Sequence, residues 1–164
     1  MPQPLVRSAV VADAPTISAI YNHSVLHSTA TYQERPESVD DRLVWLALHT
    51  ESHPALVAEI DGAVVGWAAL SPFHPRSAFR YTVESSVYIA ESHQRRGLGR
   101  ALMLELIARA RAAGHHRLVA TISGDQLPSL ALHQALGFRH AGTLHEVGRK
   151  FDRWLDVVTM ELPL

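Results

Sequence analysis

The stretch SSVYIAESHQRRGLGRALM, Ser85–Met103, passes from an apolar strand through a short polar turn to two glycines at the start of a helix. Strand, glycines and helix in that order make an anion site. The first N–H groups of the helix and the positive end of its dipole point at one spot, and glycine lets a ligand come close. Gln94-Arg95-Arg96-Gly97-Leu98-Gly99 adds two guanidinium groups. No Gly-Lys-Ser/Thr follows, so this is not a Walker loop, and the third glycine of a dinucleotide fingerprint is missing. Two readings stand on these residues alone: a phosphate cradle, or a tight turn carrying a solvated arginine pair.

The helix opened by the glycines has the clearest period in the chain. Leu102, Met103, Leu106, Ile107 and Ala110 share one face, Arg100, Glu105, Arg109 and Arg111 lie away from it, and Gly114 stops it. Upstream, Phe79–Ala90 reads as a long strand after a proline-bearing loop, Ser71–Ala78. Before that, Asp61-Gly62 between the apolar runs Ala55–Ile60 and Ala63–Leu70 predicts a tight hairpin. The N-terminal part reads as a strand, Leu5–Ala9, then a helix capped by Asp13 with Pro15 in its first turn and Ile17, Ile20 and Tyr21 as its stripe. An irregular stretch, His27–Pro36, leads to a second helix from Ser38 or Asp40 to about His49, with Leu43, Leu46 and Ala47 inward. Downstream come a strand at Arg117–Ile122, a helix from Pro128 to Leu136 ended by Gly137, and strands at Phe138–Val147 and Phe151–Leu162. This order predicts an α/β fold, a central mixed sheet with helices on both faces. Nothing divides residues 1–164, so one domain is expected.

The totals narrow the function. With 47% hydrophobic and 19% charged residues, the composition is that of a soluble globular protein. The net charge is −1, Lys150 is the sole lysine, and the one arginine cluster lies in the glycine turn, so no nucleic-acid partner is expected. Cysteine is absent, which rules out disulfides and thiolate metal sites and suits a reducing cytoplasm. There is no signal-peptide pattern, and no apolar run approaches the roughly 20 residues that cross a bilayer. His23 and His27 have helical metal-pair spacing and His115-His116 are adjacent, but no nearby carboxylate completes either set, so no metal is expected.

Gln94–Gly99 matches the Q/R-x-x-G-x-G/A signature of the GNAT acetyltransferases, at the family's place between a fourth strand and a third helix. Ser129–Phe138 resembles that family's A-x-x-L-Y/H-x-x-x-G-F segment. Tyr81–Tyr88 and Val147–Asp156, with Ile20-Tyr21-Asn22 and Pro72-Phe73, are similar to the phosphinothricin and methionine sulfoximine/sulfone acetyltransferase subgroup. The resemblance implies a GNAT-like fold with a twisted, mostly antiparallel sheet, and transfer of acetyl from acetyl-CoA to the α-amine of a small amino-acid-like molecule. It implies a homodimer as well. Other acceptors (another small amine or a protein N-terminus) and a non-catalytic acyl-CoA sensor remain as alternatives.

The resemblance also assigns residues. Gln94, Arg95, Arg96, Gly97, Leu98, Gly99 and Arg100 would cradle the CoA pyrophosphate. Val87, Tyr88 and Ile89 would meet the pantetheine arm along a bulged, splayed strand, one backbone N–H polarising the thioester carbonyl. Ser129 would help hold that arm. Gln126 stands where relatives carry asparagine, which alters that turn's contact with CoA. Glu84, a carboxylate in an apolar strand, is the expected general base, since burial there raises proton affinity; its other reading is a surface carboxylate, solvated or paired with Arg80. His133 stands where relatives have a tyrosine acid, so it would protonate the thiolate or relay protons. Arg80 and Arg76 would hold an acceptor carboxylate. Tyr32, Phe73 and Tyr81 would line the acceptor pocket. Lys150 would reach a polar headgroup in its own or a neighbouring subunit, or be structural, and Trp154 would pack in the core or at that interface.

Overall fold

The computed structural model describes residues 4–164. Its strands are β1 (Leu5–Ser8), β2 (Ala55–Ile60), β3 (Ala63–Pro72), β4 (Thr82–Ile89), β5 (Arg117–Ser123), β6 (Arg139–Lys150) and β7 (Arg153–Pro163). The helices are α1 (Ala14–His27), α2 (Val39–Ala47), α3 (Leu98–Ala112) and α4 (Leu127–Ala135). All seven strands join one sheet in the order β1-β2-β3-β4-β5-β7-β6. Every neighbouring pair is antiparallel except β4 with β5. The expected mixed sheet with helices on both faces is therefore present.

Alternation along β2 shows how the sheet serves two layers, because successive side chains point to opposite faces. Leu56 and Ala58 join the core beneath α3, with Leu102, Met103 and Leu106. Ala55 and Val57 pack with Ile17 and Ile20 of α1 and with Trp67 on the other face. The predicted inner face of α3 is the one that is buried. Asp61 and Gly62, at φ 50° and 78°, make the predicted hairpin turn.

Several local expectations shift. Asp13 does not cap α1 with its side chain. Its carboxylate instead accepts two bonds from the Arg7 guanidinium, at 2.7 and 2.9 Å, and one from the Val10 N–H, tying β1 to the helix start. In α2, capped by Ser38, Ala47 is exposed and Arg42 is the buried residue. Arg42 pays for its burial by pairing with Glu37 and lying over the rings of Trp45, Tyr21 and Trp67. The strand expected from Phe79 starts only at Thr82, because Ser77–Phe79 forms a helical turn closed by Arg80 N–H on the Ser77 carbonyl. Phe151 is a turn residue rather than a strand residue. It and Asp152 have φ 52° and 57°, the left-handed pair that joins β6 to β7. Trp154 is 62% exposed, so it is not a core residue.

Candidate active site

The parallel ladder between β4 and β5 has three rungs, Thr82–Arg117, Val83–Leu118 and Glu84–Val119, and then stops. Beyond it β4 stays with β3 as far as the Gly66–Ile89 pair, while β5 stays with β7 as far as Ser123–Val157. The two strands part, and between them opens a cleft of about 1100 Å³. The splay follows from these two loyalties alone. β4 keeps an unbroken register with β3, so the bulge expected in it is absent.

One end of the cleft is the glycine turn. Arg95 and Gly97 both adopt left-handed backbone, at φ 59° and 80°. Gly97 is the residue before α3, so the first N–H groups of that helix open onto the turn with no helical acceptor. Gln94, Arg95, Arg96, Gly97, Leu98, Gly99 and Arg100 all line the cleft, and the three arginines are exposed. Free N–H groups, a helix dipole and guanidinium charge at one end of a cleft are features that suit an anion. The Gln94 side-chain amide donates to the Ile89 carbonyl at 3.3 Å, which pins the turn to the end of β4.

Along the floor run Val87, Tyr88 and Ile89. On this stretch the β5-facing edge of β4 has no strand partner, so its polar backbone groups are available to an extended ligand arm. The Tyr88 ring stacks on Trp67, and its hydroxyl donates to the Ala30 carbonyl at 3.1 Å. Burial pushes that hydroxyl's pKa well above the ordinary phenol value. Glu84 sits at the last rung, half-buried and on the cleft wall. Among the described residues it has no ion pair. Arg80, its other suggested partner, bonds the Ser77 carbonyl and lies over the Tyr81 ring.

The opposite wall is β5 and the start of α4. His133 is 3% exposed, and its Nδ1 lies 2.8 Å from the Ser129 carbonyl. A carbonyl only accepts, so Nδ1 carries the hydrogen and Nε2 keeps a lone pair. Burial holds the imidazole below its usual pKa, with the Ser129 bond opposing, so the resting ring is neutral. The Gln126 amide does not stop at the α4 turn. It donates to Thr29 Oγ1 at 2.7 Å, and that hydroxyl in turn donates to Asp125 at 2.8 Å. A shorter asparagine side chain would have less reach toward Thr29.

Of the other expected acceptor residues, one is brought in. Tyr32 lines the cleft, its hydroxyl donating to the Asp156 carbonyl at 3.0 Å. Phe73, Arg76, Arg80 and Tyr81 lie outside the cleft lining, because the turn at Ser77–Phe79 carries their loop away from it. Phe73 and Phe79 pack on each other instead. Lys150 is also absent from the lining. It is 3% exposed, with its ammonium on main-chain carbonyls, so the structural alternative describes its place.

Sequence reasoning missed the contribution of Ser28–Thr31, part of the stretch read only as an irregular loop, which lines the cleft through Ser28, Ala30 and Thr31. Thr29 and Thr31 are buried there, which nothing in this polar stretch of sequence signals. His23 and His27, set aside as ligands, lie along the cleft, with His23 paired to Glu91 at 3.2 Å.

The profile of the Acetyltransferase (GNAT) family matches residues 18–138. An L-methionine sulfoximine/L-methionine sulfone acetyltransferase of Salmonella typhimurium is 43% identical over 160 residues, covering 97% of this chain and 94% of the relative. A phosphinothricin N-acetyltransferase of Alcaligenes faecalis is 44% identical over 155 residues, 93% of this chain and 78% of the relative. Among solved structures, a GNAT superfamily phosphinothricin acetyltransferase from Sinorhizobium meliloti in complex with AcCoA superposes with a TM-score of 0.96. The two are 40% identical, the match covering 98% of this chain and 88% of that one.

Proposed function

Because this chain belongs to the GNAT acetyltransferase family and is an acetyl-CoA-dependent N-acetyltransferase, we propose that its acceptor is the α-amine of a small amino acid of phosphinothricin, methionine sulfoximine or methionine sulfone type. The observation that carries the reading is the placement of Glu84. It stands where the β4–β5 ladder ends, in the same cleft as the anion cradle at Arg95–Arg100.

The donor supplies an activated acetyl thioester. The chain's own groups do the rest. N–H groups at the start of α3 and the Arg95, Arg96 and Arg100 guanidiniums hold phosphate oxygens. Backbone groups of Val87–Ile89 pair with the extended arm, with Ser129 opposite, and an N–H of β4 meets the thioester carbonyl. Even a peptide's terminal amine has a pKa of about 8, so an amino acid's α-amine is mostly ammonium at neutral pH and must lose a proton before it attacks. Glu84 takes that proton, directly or through water. His133, neutral at rest with its lone pair at Nε2, works as a relay that must gain a proton before it can give one to the departing sulfur.

The carboxylate-binding arginines of the acceptor come from the Phe73–Tyr81 loop of a second copy in a homodimer. Supporting this, the loop leaves its own cleft and exposes Phe73, Phe79 and Tyr81. Residues 1–164 act as one domain, in the reducing cytoplasm that a cysteine-free chain suits. The test is release of free CoA from acetyl-CoA with a panel of phosphinothricin, methionine sulfoximine, methionine sulfone, other amino acids and short peptides. Turnover fastest with the first three supports the assignment. Turnover confined to other amines or peptides replaces the acceptor, and acetyl-CoA binding without any turnover removes Glu84 as base.

A further inference from the structure

The acceptor side of the cleft is walled by Ser28–Tyr32, a segment with no helix or strand of its own. Such a loop has backbone groups to satisfy, and its carbonyls are met by side chains from distant parts of the chain. The Ser28 and Thr31 carbonyls accept from Lys150 Nζ at 2.7 and 2.8 Å, and the Ala30 carbonyl accepts from Tyr88. Lys150 also reaches the Ser24 carbonyl at 3.5 Å, in the last turn of α1. An ammonium has three N–H donors and no acceptor, so three carbonyls match it in number. The site suits a cation further, because α1 ends there with the negative pole of its dipole.

Burying an ammonium is costly unless its hydrogen bonds are replaced, and Lys150 is 3% exposed with no carboxylate bonded to it among the described residues. Burial lowers its pKa, with Glu34 opposing. The expense is spent on one loop. Lys150 ends β6 beside the turn to β7, and Gly148, two residues earlier, lies against that loop too. A Cβ at Gly148 would stand 3.3 Å from Tyr32 Cδ1. The end of β6 thus holds the Ser28–Tyr32 wall at both its carbonyls and its aromatic side chain.

Resting on the acetyltransferase reading above, we propose that Lys150 is a positioning residue for the acceptor: its ammonium clamps Ser28–Tyr32 in place, and this sets the fit of the amine facing Glu84 without touching donor or amine. The donor cradle at Arg95–Arg100 takes no bond from Lys150.

The experiment compares the full chain with Lys150→Met, which keeps length and apolar stem, and with Lys150→Arg, which keeps charge and donors. Hydrogen exchange at the amides of residues 28–32 is expected to quicken about 10-fold or more in Lys150→Met, while α3 and the central strands keep their protection. The acceptor KM is expected to rise about 10-fold, with acetyl-CoA affinity within about twofold of the parent, and Lys150→Arg is expected to recover part of both losses. A folded Lys150→Met with unchanged loop exchange and acceptor KM overturns the proposal. So does an equal loss of acetyl-CoA affinity. Should Lys150→Met not fold, Lys150→Gln, neutral but still able to donate, is read by the same measurements and the same outcomes. A parent chain that acetylates no amine ends the acceptor assignment, and loop exchange then decides the clamp by itself.

Discussion

Glu84 and Val119 form the last rung of the parallel ladder between β4 and β5, and the carboxylate stands where the sheet divides. Backbone pairing holds Glu84 on both sides, to Ser71 of β3 and Val119 of β5, and the gap between β4 and β5 opens just beyond it. Replacing it with Gln keeps shape and removes the base. Glu84→Gln is expected to lower kcat by about 10²–10⁴ with acetyl-CoA affinity unchanged, as read by steady-state rates beside equilibrium binding. An equal fall in donor affinity would show that Glu84 shapes the cleft rather than moving a proton.

Gly97 and Gly62 supply a matched pair of substitutions. Both have left-handed backbone, at φ 80° and 78°, and a Cβ on either meets nothing within 4 Å. Alanine at each therefore costs only backbone strain, roughly 1–2 kcal/mol. Gly62 lies in the β2–β3 hairpin, so Gly62→Ala should lower the unfolding midpoint and leave donor affinity alone. Gly97→Ala can relieve its strain by opening the cradle, and acetyl-CoA affinity should fall roughly 5–30-fold. Equal affinities for the two variants would detach the turn from donor binding.

Gly148→Ala addresses the Ser28–Tyr32 wall at its aromatic side chain rather than its carbonyls. Its Cβ would crowd a Tyr32 ring whose hydroxyl is bound to the Asp156 carbonyl. The ring must give by a few tenths of an ångström while its far end is held, and Tyr32 lines the cleft. The expected result is a higher acceptor KM, an unchanged KM for acetyl-CoA and a midpoint shift of a few degrees at most, read from kinetics with each substrate varied in turn.

Acid stability follows from histidines held neutral by burial. His49 and His133 both have pKa values lowered from the ordinary 6.5. His49 Nδ1 is engaged by the Trp45 carbonyl, and its Nε2 is buried with no hydrogen-bond partner among the described residues. Above pH 6.5 these groups are neutral folded and unfolded alike, so they contribute no slope. Below it the unfolded chain takes up protons that the folded one resists, and stability is lost as pH falls toward the folded pKa values. The carboxylates of Asp13 and Asp125, lowered from 3.8, contribute stability that is lost only at lower pH. Urea midpoints are therefore expected to be level from pH 8 to 7 and to decline from 6.5 to 5, with a shallower decline in His49→Met. A level midpoint down to pH 5 would contradict neutral burial.

Much of the fold was legible because its signals are local. The inner face of α3 is a period of one helix, Asp61-Gly62 is a turn written in two residues, and Gly97 and Gly137 mark helix ends by their own φ. The donor side of the site was legible for the same reason, since cradle and floor are a contiguous stretch from Val87 to Arg100. The acceptor side was not. Arg80 and Tyr81 lie close to Glu84 in sequence, yet one helical turn at Ser77–Phe79 sends them elsewhere. Ser28–Thr31 carries no motif, and its importance lies wholly in what reaches it from residues 88, 126 and 150.

The sequence by itself therefore determined the order of most elements, the glycine turn at the start of α3 and the family, because period, backbone handedness and contiguous motifs are properties of short segments. Tertiary structure alone decided where the sheet splits, which loop lines the same cleft as Glu84 and which carbonyls Lys150 meets. A cleft exists because strands distant in sequence stop pairing. A buried charge finds its role from whichever carbonyls the fold brings within hydrogen-bonding distance.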